Sequence, residues 1–574
     1  MISLLLAGLL QEPLSPAETV RKLHVPAGFK VSLFAGEPDL VQPVAFSIDD
    51  RGRVWAVEGL AYPHWLPKDR IIILEDADND GTFDKKTLFI DKLTYVTGIE
   101  TGFGGVFVTA PPQMLFIPDR NGDDVPDGPP EVLLDGFGLE GKHNIVSGFS
   151  WGPDGWLYAG HGRTSISDIG PPGTPPEKRI RYDGGVWRWH PVRKVFEAFC
   201  DGTTNPWGVA FDENGEAFIS TCVDVHLYHA IQGAHYEPWR NRPSSRHAYK
   251  RIDAIADHLH YKGPLQTSRG GPPEQLAVGG GHAHSGAYIY LGDSFPAEYR
   301  GTFFTNNIHG KRVNNDLLRR RGSGFAAGHG PDFLVSDDPM HMGVLVQGGP
   351  DGSLFVSDWY DRGECHTRNP HQLTGRIYKV SYGERRPPPV DLAKLTTEEL
   401  MELQFHKNDW IVTRARRLLQ ERQPKLSFSL KGKDRAAQLR AIWALRVTGN
   451  LGEPANLQTD GDEYVRAWGI RLDLEDGEAF RPATLLEMAK KDPSAVVRLW
   501  LASACQRMPL NDRYPLLEAL AGRMEDVEDP NLPLMIWYAL EPWVAANRDA
   551  AVELMKKPLL PPLREFITRR LVAR

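Results

Sequence analysis

One phrase recurs six times between residues 50 and 358: a turn containing glycine, then at once a short strand of aromatic and β-branched residues. It reads Asp50-Arg-Gly52-Arg-Val-Trp-Ala-Val57, Gly102-Phe-Gly104-Gly-Val-Phe-Val108 and Gly152-Pro-Asp-Gly155-Trp-Leu-Tyr158, then Glu213-Asn-Gly215-Glu-Ala-Phe-Ile219, Tyr299-Arg-Gly301-Thr-Phe-Phe304 and Gly349-Pro-Asp-Gly352-Ser-Leu-Phe-Val356. The anchor glycines are 52, 51, 60, 86 and 51 residues apart. A strand–turn unit returning about every 50 residues marks propeller blades, since each unit makes one small sheet that must pack on its neighbours. A β-sandwich does not repeat at this period. Six copies predict a mainly β, six-bladed propeller over residues 19–384, with an insertion near 225–280, rich in His, Pro and Gly, in the long fourth interval.

The pattern stops at Arg385-Arg386-Pro387-Pro388-Pro389, a stiff linker spanning 385–392. Of 56 glycines, seven lie beyond residue 390, and of 19 histidines only His406 does. Scarce glycine permits helices, and residues 393–574 read as an α-helical solenoid of HEAT or armadillo type. Trp410–Leu419 is amphipathic with a basic face, expected to be solvated or to lie between repeats. Asp462, Asp492 and Asp529 are expected to N-cap three further helices. A solenoid of this kind suits packing or docking of a separate protein, and the linker predicts that a chain ending near Tyr382 folds alone.

Residues 1–18 open with an apolar stretch, Met1–Leu10, which reads as a weak signal peptide or an N-terminal extension and predicts a periplasmic or otherwise exported protein. A net charge of -8 without a basic stripe argues against nucleic acid. The four cysteines, at 200, 222, 365 and 505, form no C-x-x-C-H, so no covalent haem is expected in this chain.

Function on a propeller gathers at the axis, on loops and strand ends of one face. The residues after each repeated strand are Glu58, Thr109, His161-Gly-Arg163, Cys222-Val-Asp224-Val-His226, Asn306-Asn307-Ile-His309 and Asp358-Trp359. His143 lies just upstream of the third phrase. A neutral imidazole can take a hydroxyl proton and a nearby cation can stabilise the alkoxide. His143, His161, Arg163, Asp224 and His309 are therefore the candidate catalytic residues, and Asn205, Trp207, His226, Arg312 and Asp358 the candidate cofactor-binding ones. Water-bridged polar side chains with no chemistry also occupy propeller axes, and that reading stands beside this one. His229, His235, His282, His284, His366 and His371 fit no standard zinc spacing.

Two loops carry alternating oxygen donors. Asp76, Asp78, Asp80 and Asp84 occupy positions 1, 3, 5 and 9 of one, and Asp119, Asn121, Asp123 and Asp127 repeat the frame. Such a turn can wrap a hard cation, calcium above all. Strand-like flanks rather than helices predict a structural ion within a hairpin; the alternative is a pair of metal-free Asx-turns.

Several segments resemble a known family: Pro26-Ala-Gly-Phe29, Asp76-Ala-Asp-Asn-Asp-Gly81, Thr204-Asn-Pro-Trp-Gly208, Cys222-Val-Asp-Val-His226 and Gly281-His-Ala-His284, with Asn307-Ile-His-Gly-Lys-Arg-Val-Asn314, Ser323-Gly-Phe325, Asp358-Trp-Tyr360 and Cys365-His366. Over residues 20–383 the chain is similar to the membrane-bound dehydrogenase family of planctomycete-type bacteria, distant relatives of soluble pyrroloquinoline-quinone sugar dehydrogenases. The resemblance implies a quinoprotein-like propeller followed, in many members, by HEAT repeats and a cytochrome c domain. His143 matches the relatives' base, whereas His161 stands for their carboxylate, Thr204 for their arginine, and Cys222-Val-Asp224 for the segment that supplies their active-site calcium. The function this implies is oxidation of a sugar or polyol, with a bound pyrroloquinoline quinone or other acceptor and a separate cytochrome or other protein docking on the repeats. A calcium-dependent carbohydrate hydrolase or lyase, and a non-catalytic glycan- or protein-binding propeller, are the alternatives.

Overall fold

Each recurring phrase forms the second strand of a blade: Val54–Glu58, Gly105–Ala110, Leu157–His161, Ala217–Thr221, Phe303–Asn307 and Leu354–Asp358. The computed structural model describes residues 12–141, 144–163, 165–222, 226–237, 245–256, 277–361, 373–383, 391–430, 433–475 and 481–573. The calls on His143, Asp224, Cys365, His366 and His371 lie outside these residues. Each second strand pairs antiparallel with an inner strand: Pro43–Ile48, Gly98–Thr101, Val146–Trp151, Pro206–Phe211, His284–Ile289 and Gly343–Gly348. Each inner strand packs on the next, and Gly343–Gly348 returns to Pro43–Ile48, so six blades close a ring. The ring is sewn shut by the N-terminus, for Phe29–Gly36 is the outer strand of the sixth blade and Leu23–His24 joins the fifth. Leu14 is built in as well, donating its N–H to the Tyr360 hydroxyl and accepting from Arg376.

The inner strands are not regular. In five of the six pairs the register slips by a bulge near the strand start, which bends the strand where the channel needs room. Gly208 sits at one slip with φ +132°, and a Cβ there would lie 2.5 Å from the Ala287 backbone nitrogen. Only glycine lets these two inner strands approach so closely.

Among the described residues ten helices follow, from Thr397–Glu402 to Pro561–Val572, each packed on neighbours close in the chain. They cover the face carrying the six inner hairpin turns, and every turn is bonded to them. Leu392 N donates to Asp50 O, Phe103 N to the Glu421 carboxylate, Gln420 to Gly155 O, Trp468 to Asn214 O, Asp409 N to Leu291 O, and Asn408 to Gly349 O. The repeated glycine leaves room for this: at Gly215, with φ +76°, a Cβ would meet Trp468 at 2.7 Å and Trp443 at 2.8 Å.

Three expectations give way here. The basic face of Asp409–Arg422 is buried rather than solvated: Arg414 pairs with Glu100 at 2.6 Å, and Arg417 pairs with Asp50. The helical region also shares its cores with the propeller. Trp156, Tyr158, Val186 and Phe199 sit in one apolar cluster with Leu499, Trp537 and Phe566, while Phe46 and Ile72 sit in another with Trp410 and Leu418. Of the three expected aspartate caps, Asp462 caps Glu463–Asp473. Ser494 caps Ala495–Cys505 instead of Asp492, which accepts from Ser494 N and holds Arg466. Asn531 holds the N-cap position of Leu532–Ala546 with no side-chain bond to the helix, while Asp529 Oδ1 accepts from Leu532 N at 2.9 Å and the same carboxylate reaches across to Ser323 of the propeller. Cys200, Cys222 and Cys505 are free and buried.

Candidate functional site

The helices take one face, and chemistry-bearing side chains gather at the other. There the inner strands begin and the second strands end, in register: Pro43 opposite Glu58, Gly98 opposite Thr109, Val146 opposite His161, Pro206 opposite Thr221, His284 opposite Asn307, and Gly343 opposite Asp358. Trp207, Cys222, Ala283 and Val344 meet as an apolar cluster, with Val44, Ile308 and Trp359 packed on it. All seven residues lie at or next to these strand ends, so the cluster forms an apolar floor among the polar groups.

Between the fifth and sixth blades, Asp358 is fully buried and saturated. Its oxygens accept from Met342 N at 2.7 Å, Tyr360 N at 2.9 Å, His341 Nδ1 at 2.8 Å and the Tyr378 hydroxyl at 3.1 Å. Burial opposes its ionisation, but His341 and these bonds outweigh it and lower its pKa. Beside it stands Lys311, whose ammonium has no hydrogen bond or ion pair among the described residues. Burial lowers its pKa to about 8, against the pull of Asp358 and Asp338.

From the fourth blade His226 reaches the fifth, where its Nε2 meets Asp316 at 2.9 Å and its ring stacks on His284, with ring centroids 3.9 Å apart. Asp316 also faces His329 Nδ1 at 3.4 Å, and Asp332 faces its Nε2 at the same distance. Burial works to lower the His329 pKa, but the two carboxylates overcome it and raise it to about 9, so this ring is cationic at neutral pH. Arg312 pairs with Asp332, and His309 lies beside His282, with centroids 5.2 Å apart.

Other candidates are tied into the fold. His161 is fully buried: its Nδ1 accepts from Gly184 N at 3.2 Å and its Nε2 bonds Ser167 Oγ at 2.7 Å. Burial lowers its pKa to about 4. Both nitrogens are engaged, so His161 serves packing and hydrogen bonding. Arg163 lies 3.8 Å from Asp183, and its backbone N–H donates to Asn205 Oδ1. Of the expected cofactor-binding pair, Trp207 belongs to the floor, while Asn205 holds the Arg163 backbone.

Sequence reasoning left Lys311, Asp316, His329 and His341 without a role. Lys311 lay inside a quoted segment, but nothing in that segment showed that Asp358 and Asp338 flank it. The Asp316–His329 pair is set by the hairpin register of Arg312–Arg321 with Gly324–His329, which no spacing rule reveals.

The two acidic loops fold alike. In each, the first Asp accepts from the N–H of positions 5 and 6, and the ninth from position 2: Asp76 from Asp80 and Gly81, Asp84 from Ala77, Asp119 from Asp123 and Asp124, and Asp127 from Arg120. Asp76, Asp78 and Asp84 each bring an oxygen within 4.8 Å of the others, and no other such group of His, Cys, Asp or Glu occurs among the described residues. Burial first, and neighbouring carboxylates after it, raise the pKa of Asp76 and Asp119.

A family model described as a domain of unknown function, DUF7133, matches residues 15–384. No curated protein matches the chain. Among solved structures, a Thermus thermophilus protein described as an oxidoreductase (glucose dehydrogenase) is 16% identical at a TM-score of 0.41, covering 62% of this chain and 100% of its own. The PQQ-bound aldose sugar dehydrogenase of Streptomyces coelicolor is 15% identical at 0.36, covering 63% and 100%. The soluble aldose sugar dehydrogenase of Escherichia coli, in its apo form, is 13% identical at 0.35, covering 62% and 100%.

Proposed function

We propose that this chain, which belongs to the DUF7133 family, binds a sugar or polyol on the strand-end face of its propeller and oxidises it there. One observation carries the reading: the apolar floor of Trp207, Val344 and Trp359 lies among Lys311, His341–Asp358, His282, His309 and His226–Asp316. A sugar presents the same two surfaces, a C–H face that packs on indole and hydroxyls that pair with imidazole and ammonium. The reaction class is removal of two hydrogens from a carbinol carbon, with a quinone-type molecule receiving them. The described residues do not build a resident tricarboxylate-quinone site. Thr204 is a buried hydroxyl where a cation would be needed, Arg163 and Arg312 face Asp183 and Asp332, and His161 has both nitrogens engaged. A quinone-type acceptor entering as a co-substrate fits these described residues best.

The test is calorimetric titration with a sugar and polyol panel, run beside dye reduction with an added quinone. Trp359→Ala and Lys311→Met are each expected to weaken binding on the order of tenfold, about 1.4 kcal/mol. Absence of binding across the panel would sink the proposal. Binding without dye reduction would leave a glycan-binding propeller.

The acidic loops belong to the same reading as structural calcium sites, because a cation relieves the clustering of Asp76, Asp78 and Asp84. Chelation is expected to lower the melting temperature, and Asp78→Ala combined with Asn121→Ala to lower calcium stoichiometry after stripping and reloading. Unchanged stoichiometry in that variant would refute the assignment. Export rests on the apolar stretch Met1–Leu10, and a leader removed on export would end before Leu14, given its bonds to Tyr360 and Arg376. Docking of a separate electron carrier would use the outer side of the helical region, since its inner side is taken by the propeller.

A further inference from the structure

The apolar floor does not end at Trp359. An aromatic run leads away from it along the first blade. Tyr62 stands edge-on to Trp359 with ring centroids 5.9 Å apart and lies 6.1 Å from Tyr95, and Trp65 stacks flat on Tyr95 at 4.0 Å and 17°. Tyr95 is buried and backs the run, whereas Tyr62, Trp65 and Trp359 are half-buried and keep part of each ring in solvent. Trp65 meets no ring but Tyr95 among the described residues, so it stands outward of Trp359 rather than against it.

The loop that carries Tyr62 and Trp65, residues 59–68, joins the second strand of the first blade, which ends at Glu58, to the third, Asp69–Glu75. Glu58 lies opposite Pro43 on one side and Arg70 on the other, so this loop rises from the strand-end face. Buried Asp69 ties its base down, accepting from Ala61 N and, at 2.7 Å, from Val96 N next to Tyr95. One carboxylate thus fixes the loop and the backing ring together. Trp65 and Tyr95 also share a left-handed backbone, with φ +52° and +57°. Bulky residues rarely adopt it, and it persists where the surroundings over-determine it, as they do at binding sites. At the margin of the run His64, Leu66 and Lys68 are exposed on the same loop.

Half-exposed aromatic rings held rigidly in file, with polar groups at the margin, suit the C–H faces and hydroxyls of linked sugar rings. Resting on the reading of this face as a sugar site, we propose that the run is a second subsite and that the ligand is a linear oligosaccharide of at least two rings. The first ring sits on Trp359, and the chain continues past Tyr62 to Trp65. Continuity with the floor selects this occupant, since a saccharide seated on Trp359 meets its next aromatic surface there. The loop is set before binding, so little ordering entropy is lost when the second ring arrives.

The test is calorimetric titration of the full chain with three sets of probes: glucose with cellobiose and cellotriose, xylose with xylobiose, and mannose with mannobiose. In at least one set the disaccharide is expected to bind on the order of tenfold tighter than its monosaccharide. Trp65→Ala is expected to erase that gain while monosaccharide affinity stays within about twofold of the parent. Trp359→Ala is expected to weaken both. Should Trp65→Ala not fold, Trp65→Leu keeps an apolar group on Tyr95 without the aromatic face, and is expected to lose most of the gain. Size-exclusion chromatography is expected to give the same elution for the parent and the Trp65 variant. Monosaccharide binding with no tighter disaccharide, or a gain that survives loss of the Trp65 ring, would overturn this proposal and leave the sugar reading standing. No binding in any set would overturn that reading and this proposal with it. An oligomer that the Trp65 variant no longer forms would give the run to a second copy of the chain instead.

Discussion

A chain ending at Gly383 is expected to come out of expression aggregated, or as a loosened state that binds hydrophobic dye, rather than as a free-standing propeller. Closure of the six blades removes sheet edges but leaves the hairpin-turn face, where Phe46, Trp156, Tyr158 and Phe199 share clusters with helix side chains. The truncation strips away Trp410, Leu418, Trp443, Trp468, Trp500 and Trp537, all buried. At about 1.5–3 kcal/mol for each large apolar side chain returned to water, uncovering Phe46, Trp156, Tyr158 and Phe199 alone is comparable to the 5–15 kcal/mol that typically holds a domain folded. The turns also lose the partners of Asp50, Glu100 and Glu216, which bond Arg417, Arg414 and Trp500. Size-exclusion chromatography and thermal melting of residues 12–383 against the full chain decide the matter. A monodisperse monomer melting within a few degrees of the parent would show that the helices are an independent arm. Supplying residues 391–574 in trans is expected to restore solubility.

The same interface shows where sequence reading succeeds and where it stops. The blades were legible because each phrase is local: a glycine reverses the chain and the next residues are β-formers, so spacing alone counts the sheets. The helices were legible from scarce glycine and apolar periodicity. Their attachment was not. Arg414, Arg416 and Arg417 look like a solvated stripe on Asp409–Arg422, and only the tertiary fold turns that stripe onto Glu100 and Asp50. Asp492 was a plausible cap because aspartate caps helices in general, yet Ser494 stands nearer the helix start and takes the N–H groups of Val496 and Val497, whereas Asp529 does accept from Leu532 N. The candidate site divides the same way. That the ends of the repeated strands share one face follows from the repeat itself, as the register of the six pairs has it. What each residue does there depends on partners far along the chain. His161 reads as a free imidazole in sequence, but Gly184 and Ser167 take its nitrogens. Lys311 reads as one surface cation among many until Asp338 and Asp358 are seen to flank it.

Two histidines on this face should respond to acid and base in opposite directions. His161 is held neutral, with burial lowering its pKa from 6.5 to about 4. Between those values the unfolded chain binds the proton and the folded chain does not, so this group's contribution is complete above pH 6.5 and is lost as the pH falls toward 4. At 1.36 kcal/mol per unit, the loss is about 3 kcal/mol. His329 is raised to about 9 by Asp316 and Asp332 against the cost of its burial. Here the folded chain holds the proton longer, so stability is fully present below pH 6.5 and drains away, again by about 3 kcal/mol, as the pH climbs through 9. Buried acids oppose the first effect: burial raises Asp69 to about 6 and Asp212 to about 7, and both favour the folded state in acid. The parent's whole pH curve therefore mixes several groups, and the difference between parent and single variant isolates each one. His161→Gln keeps a donor and an acceptor for Ser167 and Gly184, and its stability relative to the parent is expected to rise steadily from pH 6.5 to 4. His329→Gln is expected to trail the parent below pH 6.5 and to close that gap by pH 9. Denaturant titrations of the three proteins at half-unit steps measure both. Parallel curves for His161→Gln and parent would mean that the imidazole is solvated and free to act as an acid or base on the site. Parallel curves for His329→Gln and parent would remove the fixed cation from the same face.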